Sequence, residues 1–201
     1  MGYGATECAP IITYSDWHDF VPMSCGREVV HMEVKIDSEN PETVPGEILA
    51  RGLNVMLGYY KNDEATAQTI DKDGWYHTGD LGLMDKGGNV FIKGRSKNML
   101  LGPNGQNIYP EEIEDKLNSM TFAMESVVVQ RDGKLIGLVH PDFDEVQAMA
   151  LSRDDLQSLM EENRVQVNAN LPVYCKIAAI EIHDEEFEKT PKKSIKRYLY
   201  K

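Results

Sequence analysis

The amino-acid sequence predicts an α+β protein, with a β-rich first half ending near Gly94-Arg95 and a small α+β domain of about 100 residues after it. Three observations predict it. Short alternating apolar segments bounded by glycine and Asp-Gly turns dominate residues 1–96. A sustained helical apolar spacing begins at Pro110, and beyond it helical and strand patterns alternate.

The chain opens on glycine-spaced Gly2-Tyr3-Gly4, which reads as a loop. Residues 33–37, where Val34 and Ile36 alternate with polar side chains, read as a strand, and residues 46–52 as a second one bounded by glycines. Residues 62–70 read as a short helix with Asp63 as its cap. The turn Asp71-Lys72-Asp73-Gly74 follows, and Leu83-Met84 and Val90-Phe91-Ile92 then flank Asp85-Lys86-Gly87-Gly88-Asn89 as a hairpin. Met99, Leu100 and Leu101 read as buried. Pro110 opens a helix whose first turn carries Glu111 and Glu112 and whose apolar face is Ile113, Leu117 and Met120. Residues 126–130 and 135–140 read as paired strands, Ser152 to Asp155 as the cap of a helix reaching about Asn168, and residues 177–182 as a last strand.

Composition narrows the function. Apolar residues are 41% and charged residues 27% of the 201, ordinary globular usage that excludes a disordered or fibrous chain. There are 21 basic and 33 acidic side chains, a net charge of −12 that repels nucleic acid and anionic membrane. The exception is the tail, where residues 190–201 hold Lys192, Lys193, Lys196, Arg197 and Lys201 without one acid. Cys8, Cys25 and Cys175 include no close pair, which excludes a disulfide framework or a cysteine zinc site and fits a cytoplasmic location. No apolar run approaches the ~20 residues of a membrane span. The histidines show no metal spacing, and no Gly-x-Ser-x-Gly elbow marks a serine hydrolase.

Three short motifs could carry chemistry. Tyr3-Gly4-Ala5-Thr6-Glu7 brings an aromatic ring, a flexible backbone, a hydroxyl and a carboxylate together, able to stack on a base, approach a phosphate and hold a hard cation through Glu7. The alternative is a tight turn with Thr6 capping a helix. Thr78-Gly79-Asp80 puts a carboxylate after a glycine at a β-turn, where it could accept both hydroxyls of a ribose or merely close an Asx turn. Gly94-Arg95-Ser96-Lys97 ends a strand with a guanidinium fork suited to sugar hydroxyls or phosphate, or with an ordinary surface cation.

Taken in order with Gly46-Glu47-Ile48, Gly58-Tyr59-Tyr60, Trp75-Tyr76-His77 and Pro110-Glu111-Glu112-Ile113-Glu114, these motifs resemble the adenylate-forming superfamily of acyl-CoA synthetases, luciferase and peptide-synthetase adenylation domains. The resemblance covers essentially the whole chain but only the C-terminal portion of such enzymes; the Ser/Thr/Gly-rich triphosphate loop ending in Pro-Lys-Gly does not occur here. It implies a fragment: residues 1–96 as the β-rich, C-terminal end of the large N-terminal AMP-binding domain, and residues 97–201 as the small mobile C-terminal domain. It also implies that the missing upstream part of the same enzyme is a partner. Tyr3 would stack on adenine, Thr6 would touch phosphate, Glu7 would help hold Mg²⁺, and Asp80 and Arg95 would bind the ribose of ATP or AMP. Lys97 would be the hinge, and Gly105 and Gln106 would sit in the loop on the coenzyme A side.

One departure stands out. The family's catalytic lysine lies in a pattern like Lys-Thr-x-x-Gly-Lys-Ile-x-Arg, whereas this chain reads Lys189-Thr190-Pro191-Lys192-Lys193-Ser194-Ile195-Lys196-Arg197. Ser194 takes the lysine's place, and a neutral hydroxyl cannot offset charge on a reacting phosphate. Lys193 is the first candidate to serve instead and Lys196 the second. The implied activity is that of an ATP-dependent carboxylic acid–CoA ligase, inactive as the isolated chain. A long-chain fatty acid is the expected substrate, because residues 102–114 are similar to bacterial long-chain synthetases. The alternatives are an adenylation domain serving a carrier protein and a non-catalytic nucleotide-binding module.

Overall fold

The computed structural model describes residues 1–191 and 193–200; Lys192 and Lys201, two cations of the basic tail, lie outside the described residues. The chain divides into two compact units, Met1–Lys97 and Asn98–Lys201.

In the first unit, β1 (Gly2–Gly4), β2 (Ile11–Tyr14) and β3 (Arg27–Glu28) form a three-stranded antiparallel sheet. The opening is therefore a strand, not a loop: Tyr3 lies opposite Thr13, and Gly4 has no room for a side chain because a Cβ there would stand 2.0 Å from the Pro10 carbonyl oxygen. The strand escapes a reading by propensity because two of its three residues are glycines. Next come β4 (Met32–Asp37) and β5 (Gly46–Gly52), then α1 (Asp63–Thr69), then β6 (Tyr76–Met84) and β7 (Val90–Arg95). These four strands make an antiparallel meander in sequence order. The cap of α1 is Asn62, whose side chain accepts the Ala65 N–H at 3.1 Å; Asp63 is the first helical residue instead.

The β6–β7 hairpin is closed by Asp85, whose Oδ1 accepts the N–H groups of Gly87 and Asn89, both at 2.8 Å. Thr78-Gly79-Asp80 lies inside β6 rather than at a β-turn. Gly79 has φ +72, a left-handed conformation that favours glycine, and the β5–β6 register shifts between Glu47 and Leu49 beside it. Two apolar clusters fill the unit, one around Cys8, Ile12, Met32, Ala50 and Tyr76 and one around Ile36, Ile48 and Val90, and Tyr3 packs against both.

In the second unit, β8 (Leu100–Leu101) and β9 (Asn107–Ile108) form a short hairpin. Leu101 is 62% exposed, contrary to expectation, because its pairing partner lies at the mouth of this two-stranded ribbon rather than in a core. Helix α2 (Pro110–Asn118) follows, with Met120 in the turn after it. β10 (Ala123–Arg131) and β11 (Lys134–Pro141) pair antiparallel through a tight turn at Asp132 and Gly133, both at positive φ. Two helices follow, α3 (Phe143–Ala148), unanticipated and capped by Asp142, and α4 (Arg153–Ala169), capped by a reciprocal Ser152–Asp155 box. They return the chain so that β12 (Ile177–Ile182) runs parallel to β11.

One face of this sheet packs on α2 and α4 through Val128, Val139, Ile177, Ile113, Leu117, Leu156 and Met160. The other is covered by the C-terminal tail, where Phe187, Ile195 and Tyr200 pack on Val127, Val129 and Leu138. The unbroken run Val127-Val128-Val129 thus reflects a strand buried on both faces. Among the described residues no helix is long and apolar enough to cross a membrane.

Leu117 is fully buried in the larger cluster, whereas Ser152 acts only at a helix end. Leu117→Ala should cost about 2–5 kcal/mol and Ser152→Ala about 1 kcal/mol in equilibrium denaturation, and the reverse order would contradict this packing.

Candidate functional site

The first unit brings two of the sequence-predicted residues, Tyr3 and Arg95, to the carboxylate of a third, Asp80. Asp80 is 8% exposed. Its Oδ2 accepts the Tyr3 hydroxyl at 2.6 Å and its Oδ1 lies 2.7 Å from Arg95 Nε. Arg95 Nη1 donates to the Thr78 carbonyl at 3.3 Å, so the guanidinium spans the bend at Gly79. Most of the Arg95 side chain faces solvent.

Register builds this pair. Asp80 stands directly opposite Arg95, but from Gly82 to Met84 the β6–β7 ladder runs one residue out of step with that pairing. A one-residue bulge makes up the difference; without it Gly94 would face Asp80. The turn at Asp85 and the bulge together decide which side chain meets the carboxylate.

Residues without a predicted role hold the bend in place. Thr78 Oγ1 donates to the Ile48 carbonyl at 2.7 Å and accepts the Asp80 N–H at 3.0 Å. Glu47 takes the Gly79 N–H at 2.9 Å on one oxygen and lies 2.9 Å from His77 Nδ1 on the other. Gly46-Glu47 and Trp75-Tyr76-His77 belonged to the motif series, but nothing in local spacing indicated that they support the bend across the sheet.

Thr6 and Glu7 lie on the single 3-10 turn after β1, and Thr6 makes no capping bond. The Glu7 carboxylate is half-buried and accepts the Tyr59 hydroxyl at 3.0 Å, which assigns a contact to the Gly58-Tyr59-Tyr60 motif. Among the described residues no group of three or more His, Cys, Asp or Glu could hold a metal ion. A single carboxylate suits Mg²⁺, which keeps several waters and binds through one or two carboxylates plus phosphate oxygens.

The remaining predicted residues are not brought to this carboxylate by the first unit's fold. Lys97 is the last residue of the first unit. Gly105 and Gln106 belong to the β8–β9 loop, where Gly105 has φ +80 and the buried Gln106 Oε1 has no hydrogen-bond partner among the described residues. In the tail, Lys193 is exposed and at φ +60, while the Lys196 ammonium is 3.0 Å from Glu188. Lys193 thus occupies the left-handed position of a turn closed by its N–H to the Thr190 carbonyl at 2.8 Å.

With this geometry in place, a family profile described as AMP-binding enzyme matches residues 1–60. The matches carry the chain's similarity to the adenylate-forming superfamily. It is 44% identical over 119 residues to a long-chain-fatty-acid–CoA ligase of Escherichia coli O6:H1, covering 57% of this chain and 21% of that protein. To a 4-coumarate–CoA ligase of Glycine max it is 38% identical over 153 residues, covering 71% and 52%. In structure it resembles O-succinylbenzoate coenzyme A synthetase of Bacillus subtilis in complex with AMP, with a TM-score of 0.77 at 24% identity over 100% of this chain and 40% of the other. The chain therefore spans only a fifth to about half of these superfamily members.

Burial, then the Asp80 charge and the bond to it, push the Tyr3 phenol well above the ordinary tyrosine range. The folded state keeps that proton while the unfolded chain releases it near pH 10, so this contribution to stability is complete below about pH 10 and falls as pH rises above it. In a spectrophotometric titration of the native protein, Tyr3→Phe should leave the number of tyrosines ionising below about pH 11 unchanged. A loss of one ionising tyrosine would show that the Tyr3 hydroxyl is not held by Asp80.

Proposed function

We propose that this chain is part of an ATP-dependent carboxylic acid–CoA ligase, acting in the cytoplasm and inactive without upstream sequence of the same enzyme. The first unit is the β-rich end of the large AMP-binding domain, and the second is the small C-terminal domain that turns about Lys97. The observation that carries the reading is the largely buried Asp80 carboxylate held between Tyr3 and Arg95 beside the left-handed Gly79.

In this reading Asp80 accepts the ribose hydroxyls and Arg95 donates to them, each oriented by the other. The Tyr3 ring, fixed through its hydroxyl, offers a face to adenine. Thr6 donates to the α-phosphate. Mg²⁺, when bound, neutralises phosphate charge, and Glu7 is the residue here that would hold it, with phosphate and water completing its shell. The acid's carboxylate oxygen attacks the α-phosphorus as the bond to the departing pyrophosphate breaks. The coenzyme A thiolate then attacks the acyl carbon as the bond to AMP breaks, on the side where Gly105 and Gln106 stand. Turning about Lys97 separates a step that must exclude water from one that must admit a thiol.

A long-chain fatty acid is the proposed acid, supported by the identity to the Escherichia coli ligase. Aromatic acids named for the other relatives are the competing class. With Ser194 in the lysine register, Lys193 is the proposed cation for the reacting phosphate, since Lys196 is already paired with Glu188. A non-catalytic nucleotide-binding module is the second reading, favoured by Ser194 itself.

Calorimetric titration of the chain with AMP and Mg²⁺ should show saturable binding, weakened at least ~tenfold by Asp80→Ala. Equal binding by the variant would remove Asp80 from the site. In the complete enzyme, Lys193→Ala should slow adenylation by about 10²–10³ and Lys196→Ala by much less. An unchanged rate for Lys193→Ala would exclude that lysine, and unchanged rates for both would favour the non-catalytic module.

A further inference from the structure

The second unit contains a buried ionic network that the reaction scheme above does not use. Glu114, on the inner face of α2 between Ile113 and Leu117, has a side chain only 7% exposed. A carboxylate so placed needs partners, and it has three donors: the Val128 N–H at 2.5 Å, Arg197 Nη1 at 2.6 Å, and Arg197 Nη2. β10 is an edge strand, so the Val128 N–H is outside the ladder and Glu114 takes it. One turn earlier on α2, Glu111 lies 3.9 Å from Arg197 Nη2 and accepts the Asn98 side-chain amide at 2.6 Å. Its other oxygen is buried without a hydrogen-bond partner among the described residues, which keeps it dependent on the nearby guanidinium.

We infer that Arg197 is a positioning residue, clamped by Glu111 and Glu114, which fixes the lysine-bearing tail and ties it to Asn98, the first residue of the second unit. The inference rests on the reading of the tail as the source of the reacting cation. Arg197 follows Lys196 directly and stands four places after Lys193. The intervening backbone is a small turn, held by Thr190 N–H to the Ser194 carbonyl at 2.8 Å and by Lys196 N–H to the Glu188 carbonyl at 2.8 Å. Upstream, Phe187 stacks edge-on against Tyr200 with ring centres 5.0 Å apart, and Lys189 pairs with Glu125 at 2.7 Å.

The turn is therefore anchored at both ends, and among the described residues Arg197 is the anchor on its C-terminal side that enters a buried carboxylate. A planar fork can occupy both Glu114 oxygens and still face Glu111; a lysine in its place could not. Because Asn98 directly follows Lys97, the clamp makes the start of the unit and the tail parts of one body, so the lysines keep their place within it whatever the hinge does.

The test is amide hydrogen exchange by NMR on the 201-residue chain, with Arg197→Gln, Arg197→Lys and Glu111→Gln. Arg197→Gln should speed exchange at Lys193, Ser194 and Lys196 by about tenfold and shift the Asn98 side-chain amide, leaving Leu138 and Val139 protected; Arg197→Lys should fall between. If Arg197→Gln does not fold, Glu111→Gln, at a half-buried position, should still shift the Asn98 amide and speed exchange at Lys196. Unchanged tail exchange in the folded variants overturns the clamp. In the complete enzyme, Arg197→Gln should lower kcat for adenylation without raising KM for ATP, with partial recovery in Arg197→Lys. Faster exchange with an unaltered kcat overturns the positioning role. An unaltered enzyme that forms no adenylate overturns the ligase reading instead, and leaves the exchange result to judge the clamp.

Discussion

The carboxylate of Asp80 lies buried in a β-sheet, and much of the first unit serves to supply it with donors. A partly buried anion is stable only with donors on its oxygens, and here a phenol and a guanidinium supply them from opposite directions. Tyr3 comes from a strand in another sheet, and Arg95 comes from the neighbouring strand through a bulge. The bend that aims the carboxylate is a left-handed glycine held by Thr78 and Glu47. Moving any of these would leave a buried charge short of a partner.

The second unit solves a similar problem for Glu114. Burial pushes this carboxyl upward, and the Arg197 guanidinium and the Val128 N–H oppose that shift. The cation involved comes from the far end of the chain, so burying one carboxylate also places the tail. Packing works in the same direction, since the tail covers the face of the sheet that the helices leave bare. Lys193 and Lys196 are thus carried by a segment held on one side by apolar contact and on the other by charge. The substitution of Ser194 for the expected lysine falls where the Thr190 N–H meets the Ser194 carbonyl.

Local code determined much of this protein. Pro110 and its following acids, the Ser152–Asp155 box, the Asp85 turn and the β-branched run at residues 177–182 each carry enough short-range physics to form their element where it was expected. Composition excluded whole classes of function, and the ordered motifs led to the superfamily. Elements with weak local signals were missed or misread. Gly2–Gly4 is a strand only because β2 pairs with it, and the Thr78-Gly79-Asp80 bend looked like a turn because glycine is as permissive in a bulge as in a turn.

What only the tertiary structure decided is who meets whom. Tyr3 and Asp80 are 77 residues apart, and Glu114 and Arg197 are 83 apart. No local propensity specifies such pairs. They depend on strand register, where a shift of one residue moves every side chain to the other face, and on which sheet face remains for the last segment to cover. The sequence by itself named the chemical groups, because side-chain chemistry is local; their partners emerged only once the sheets had closed, because register and packing are properties of the whole fold.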